Sequence, residues 1–140
     1  TIKSKEKILG VNNFRFYDNF NKNVKNLKTS FQKFILNLKH NNKLIYAYGA
    51  AAKGNTFLNY MKINNKIVNF IIDKNKYKIN KISPGGLIKI KSPHILNNDK
   101  PDYILILAWN IKHEIMNDLK KNFNFKKKFI ISIPKLKILS

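Results

Sequence analysis

The stretch Gly49–Thr56 reads GAAAKGNT and follows the apolar run KLIYAY. A short strand, a small-residue turn and a helix start form the arrangement that brings a backbone close to a phosphate. The first N–H groups of such a helix are free, and its dipole is positive at that end. Lys53 adds a mobile cation, and Asn55 and Thr56 are of the types that cap a helix or donate to a ligand. Gly49 and Gly54 take the outer positions of the dinucleotide-binding pattern G-x-G-x-x-G, with Ala51 at the middle one. The middle glycine lets a pyrophosphate approach closely, so alanine there, flanked by Ala50 and Ala52, argues against an ordinary NAD site. The phosphate loop that needs Gly-Lys-Ser/Thr is excluded, because Lys53 precedes Gly54 and Asn55 follows it. The same residues also suit a plain tight turn with Lys53 in solvent, and both readings stay open on composition alone.

Two further stretches could complete a site. Asp73 ends the apolar run KIVNFIID, 19 residues after Gly54, about where a ribose-binding carboxylate falls. Lysines follow it, Lys78 among them; an Asx turn is the alternative. Trp109 and Asn110 come just past the run DYILILAW, and open α/β sheets bind ligands beyond such strand ends. Trp109 could stack on a base or pack on another domain, while Asn110 suits a helix N-cap. His113 and Glu114 in the next turn could form an acid/base pair, or face solvent with Glu114 favoured by the helix dipole. No Ser/His/Asp or Cys/His constellation is present. His40, His94 and His113 are widely spaced and there is no cysteine, so neither a metal site nor a disulfide framework is expected.

These residues need elements to position them. Tyr17, Phe20, Val24, Leu27, Phe31, Phe34 and Leu38 step by three and four, which predicts one long amphipathic helix. After it, apolar runs at 43–49, 66–73, 86–90, 102–109 and 128–134 read as strands, with helices over 55–61 and 111–123. Strands apolar on both faces, alternating with helices, imply a mostly parallel sheet of about five strands with helices on both sides. The expected architecture is an N-terminal connector over 1–42 and a small Rossmann-like α/β domain over 43–140, one structural unit. The chain opens at Thr1 without methionine, as a piece of a longer protein would.

The formal net charge is +21, which invites a nucleic-acid reading. Arg15 is the only arginine among 28 basic residues, although arginine is the preferred residue for bidentate phosphate and base recognition. Lysine, asparagine and isoleucine, all abundant here, share AT-rich codons. A solvated basic surface is therefore expected, with no specific nucleic-acid partner. No apolar run approaches a membrane span and no signal peptide is visible, so a cytoplasmic protein is expected.

Together, YGAAAKGNTFLNY, FIIDKNKYKINKISPGGLIKI and KPDYILILAWNIKHEI, in this order and spacing, resemble the C-terminal domain of the S-adenosylmethionine-dependent sugar C-methyltransferases, over roughly Phe20 to Pro134. Motif residues match from Tyr48 through Asn59, at Asp73, Lys74 and Asn75, at Pro84, Gly85 and Ile90, and from Lys100 through Asn110 with Glu114. The resemblance implies an enzyme whose zinc-binding and S-adenosylmethionine-binding domains lie upstream, together with the catalytic base. This domain would help bind a nucleotide-activated sugar and bind no cofactor alone. The missing domain would pack on the Tyr17–Leu38 helix or on the C-terminal edge of the strands. A freestanding NAD-like module and a basic nucleic-acid-binding domain are the competing expectations.

Overall fold

The computed structural model describes every residue from Thr1 to Ser140. Its centre is a six-stranded sheet in the order β3-β2-β1-β4-β5-β6. These are β1 (Ile45–Tyr48), β2 (Phe70–Ile72), β3 (Lys89–Lys91), β4 (Tyr103–Ile106), β5 (Lys128–Ile131) and β6 (Lys137–Leu139). The first five are parallel, with Ala47 opposite both Ile71 of β2 and Leu105 of β4. β6 pairs antiparallel with β5. The sheet thus has one strand more than the sequence suggests, because the C-terminal run folds back on the edge.

The central strands are apolar on both sides because both sides are covered. All four residues of β1 are buried. One face packs Ile45, Ala47, Ile71, Leu105 and Ile130 against two helices, α2 (Phe14–His40) and α3 (Ala52–Tyr60). The other packs Tyr46, Ile72, Ile104 and Ile131 against α4 (Lys112–Phe123). Burying residues of this size stabilises by about 1.5–3 kcal/mol each, which is why short strands suffice.

The N-terminal region differs from expectation. The chain starts with a short helix, α1 (Ile2–Leu9), ended by Gly10 in the left-handed conformation. The long helix is the second, and its expected apolar stripe is only partly used. Phe31 and Leu38 are buried, joined by Ile35, which lies beside the predicted line. Tyr17 and Phe20 are 54% and 63% exposed. The reason is length: a helix of 27 residues spans about 40 Å, far more than four-residue strands. Its second half lies over the sheet and its first half projects. Gln32 fastens the covered half, its side-chain amide donating to the Met61 carbonyl at 2.9 Å. No helix is long and apolar enough to cross a membrane.

Candidate functional site

The chain runs from β1 outward through β2 and β3, then returns to place β4 on the other side of β1. The direction of winding therefore switches between β1 and β4, and a crevice opens beyond their C-terminal ends. The turn Gly49–Ala52 lies there.

Each outer glycine of that turn has a geometric reason. Gly49 sits at φ +99, a conformation that side chains rarely adopt, and a Cβ on it would lie 3.3 Å from the Ala108 Cβ. A Cβ on Gly54 would lie 2.8 Å from the Leu107 Cβ and 3.2 Å from the Gly49 carbonyl oxygen, so α3 presses directly on the end of β4. The middle position, Ala51, is the N-cap of α3 at φ −101, where alanine meets no strain, and no side chain caps the helix. Capping was one of the two roles that Asn55 and Thr56 suit by type. The helix starts earlier, at Ala52, which places both inside it, and the Thr56 hydroxyl donates back to the Ala52 carbonyl at 3.1 Å. The first N–H groups of α3, on Ala52 and Lys53, thus face the crevice edge without a side-chain acceptor.

Asp73 and Lys78 do meet at this turn. One Asp73 oxygen accepts from the Ala50 N–H and the other from the Asn75 N–H, both at 2.8 Å. Lys78 donates to the Ala50 carbonyl at 2.8 Å, with its ammonium 3.7 Å from the Asp73 carboxylate. The pair holds Ala50 by both its backbone groups, and the Asn75 contact is the Asx turn weighed as the alternative.

Lys53 donates to the Asn110 side-chain oxygen, and its ammonium lies 5.1 Å from the centre of the Trp109 ring. Asn110 is therefore not the N-cap of α4. A short 3-10 turn, Trp109–Ile111, intervenes and Ile111 takes that position. Trp109 packs edge-on against Phe57 at 6.1 Å, which fixes its ring beneath Lys53. His113 and Glu114 are exposed on the first turn of α4 with no hydrogen bond between them. No group of three or more His, Asp or Glu side chains is placed to hold a metal ion.

Two clefts flank the turn. On the α3 side, about 390 Å³ is lined mainly by apolar groups, among them Ala50, Ile71, Pro84, Ile90 and Leu107, with Ser83 and Asn55. On the α4 side, about 330 Å³ is lined by Tyr48, Asp73, Lys74, Glu114 and Asp118 together with Gly49, Ala51, Ala108, Ile111 and Ile115. Tyr48 was named from sequence only as a motif match, without a site role, and Asp118 was not singled out. The available signals were the position of Tyr48 at the C-terminal end of β1 and the i, i+4 spacing that puts Glu114 and Asp118 on one helix face. Burial pushes the Tyr48 hydroxyl up to about 12, and the carboxylates of Asp118, Asp73 and Glu114 add to the shift, so it remains a protonated donor. Lys74 pairs with Asp118 at 2.8 Å across the cleft.

Residues 1–134 match the family model described as the C-methyltransferase C-terminal domain. The chain is also 28% identical over 137 residues to C-methyltransferase NovU of Streptomyces niveus. That alignment takes in 98% of this chain and 33% of the relative, so the chain spans about a third of the relative's length.

Proposed function

This chain belongs to the C-methyltransferase C-terminal domain family, and from that premise we propose that it is the nucleotide-sugar side of a sugar C-methyltransferase, without catalytic residues of its own. The observation behind this reading is the turn at the switch point. An uncapped helix start, with Lys53 held above it by Asn110 and Trp109, lies between an apolar cleft and a polar one. A diphosphate bridging at the helix start would direct its base toward the apolar cleft and its sugar toward the polar one.

S-adenosylmethionine would belong to the part of the enzyme outside this chain. The residues here do not fit it. The carboxylate best placed for its ribose diol, Asp73, is already fastened to two backbone N–H groups. The domain's contribution to methyl transfer is to bind and orient the acceptor. The exposed Phe14, Phe16, Tyr17 and Phe20 at the start of α2, with Ile2, Ile8 and Leu9 of α1, would form the seat for the catalytic portion. Placement in the cytoplasm follows from the same reading.

The test is Lys53→Ala. Binding of a thymidine-diphosphate sugar should weaken about three- to tenfold at ~150 mM salt, the scale of a partly exposed charge interaction near 1 kcal/mol. Lys126→Ala, remote from the crevice, should leave it unchanged. Equal affinities for all three proteins would refute the phosphate assignment.

A further inference from the structure

The turn after β1 is built on a residue that does not hold one conformation by itself. Gly49 sits at φ +99, and glycine takes both signs of φ at little steric cost, so the peptide that follows it is free to flip. Two side chains from beyond β2 remove that freedom. The Ala50 N–H donates to Asp73, and the Gly49 carbonyl accepts from the Ala51 N–H at 2.9 Å. The Gly49–Ala50 peptide is therefore held at both ends. The Ala50–Ala51 peptide is held likewise, its carbonyl by the Lys78 ammonium and its N–H by Gly49. A flip of the first peptide would set a carbonyl oxygen against the Asp73 carboxylate, which opposes it.

The clamp uses up the groups that make it. One Asp73 oxygen serves Ala50 and Lys78, and the other serves the Asn75 N–H. Lys78 is divided between the Ala50 carbonyl and Asp73. The N–H groups that remain open follow directly, on Ala52 and Lys53 at the start of α3. Their direction depends on the two peptides before them. We propose that Asp73 and Lys78 are positioning residues: acting through the backbone of Ala50, they set the start of α3 in advance for an anion that neither of them touches. This rests on the phosphate reading above, and it makes Asp73 something other than a ribose ligand.

Three roles for Asp73 predict different signs. As a bare charge beside the turn it repels an anion, so its loss tightens binding. As a ribose ligand it matters only to a nucleotide. As a positioning residue it matters to any phosphate compound, because without it the turn must be ordered at the moment of binding. The experiment titrates the 140-residue chain with dTDP-glucose and with inorganic pyrophosphate, which has no ribose. Asp73→Asn should weaken both about three- to tenfold, the cost of ordering the turn. Weakening of dTDP-glucose alone would assign Asp73 to the ribose and overturn the proposal. Unchanged or tighter binding of both, with only the melting temperature lowered, would overturn it too, leaving Asp73 a structural residue. Should Asp73→Asn fold poorly, Lys78→Met decides: its loss of affinity for dTDP-glucose should persist at ~0.5 M salt, where a bare charge is screened. A loss confined to low salt would contradict the clamp. In either failure, continued weakening by Lys53→Ala would leave the domain's function standing. No binding of either ligand to the wild-type chain at millimolar concentration would overturn both readings.

Discussion

Phe31→Ala is expected to remove about 3–5 kcal/mol of stability, within the range for emptying a fully buried phenylalanine site. Phe31 is completely buried and meets Phe57 edge-on at 5.1 Å between ring centres. It is also one of only three buried residues, with Ile35 and Leu38, through which the long helix holds to the sheet. Losing it opens a cavity between α2 and α3 that neither backbone can close without leaving the strands. For a chain of this size the melting temperature should fall by about 10 °C or more. Phe20→Ala is the matched control. Phe20 lies on the same predicted stripe but is 63% exposed, so its change should stay within about 0.5 kcal/mol. Denaturant unfolding of the two variants decides the point; equal losses would mean that the first half of α2 also lies on the sheet.

Gly54→Val should destabilise by about 3 kcal/mol, and the alanine variant gives the sharper diagnosis. Alanine is favoured over glycine inside a helix by about 1 kcal/mol, so on propensity alone Gly54→Ala should stabilise. The added Cβ, however, would lie 2.8 Å from the Leu107 Cβ and 3.2 Å from the Gly49 carbonyl, neither of which is the far end of a flexible side chain. Overpacking of this kind costs about 1–3 kcal/mol, which outweighs the propensity gain. Gly54→Ala should therefore lower stability, with valine worse because its branched side chain adds further atoms to the same gap. A rise in stability for the alanine variant would show that α3 is not pressed on β4. Because α3 must lift to accept either side chain, nucleotide-sugar binding should fall along with stability.

The elements that proved easiest to read were those whose composition has one structural explanation. The runs around Ile45–Tyr48 and Tyr103–Ile106 are apolar at successive positions, which only a strand covered on both faces explains. The roles of Gly49 and Gly54 were also legible from their spacing, since a turn and a close helix approach need glycine for reasons independent of the ligand. The start of α3 was read three residues late. Asn55 and Thr56 have capping side chains, but burial of Phe57 and Leu58 and the contact at Gly54 set the start of the helix at Ala52 instead. The apolar stripe of α2 marked a face to be covered, by the sheet or by another domain, along its whole length. Periodicity defines a face and is silent about how far the sheet beneath it extends. β6 was missed because KIL is short and half exposed at a sheet edge.

Side-chain partnerships at the site were the least legible part. The fastening of Ala50 by Asp73 and Lys78 joins residues 23 and 28 positions apart, and the Lys53–Asn110 contact spans 57. Such contacts follow from strand order, not from local pattern. The polar cleft is of the same kind: Tyr48, Lys74 and Asp118 come together only once β1, β2 and α4 are in place. Read one residue at a time, Tyr48 is an ordinary strand tyrosine and Asp118 an ordinary helix-surface carboxylate.

The measurement closest to the central claim is a calorimetric titration of this chain at ~150 mM salt with a thymidine-diphosphate sugar, NAD and S-adenosylmethionine in turn. At that ionic strength the attraction of distant lysines is largely screened, so a signal reports the crevice and not the overall charge. The expected result is saturable binding of the sugar nucleotide alone. Binding of NAD or S-adenosylmethionine with the sugar nucleotide inert would contradict the account and make the turn after β1 a cofactor site.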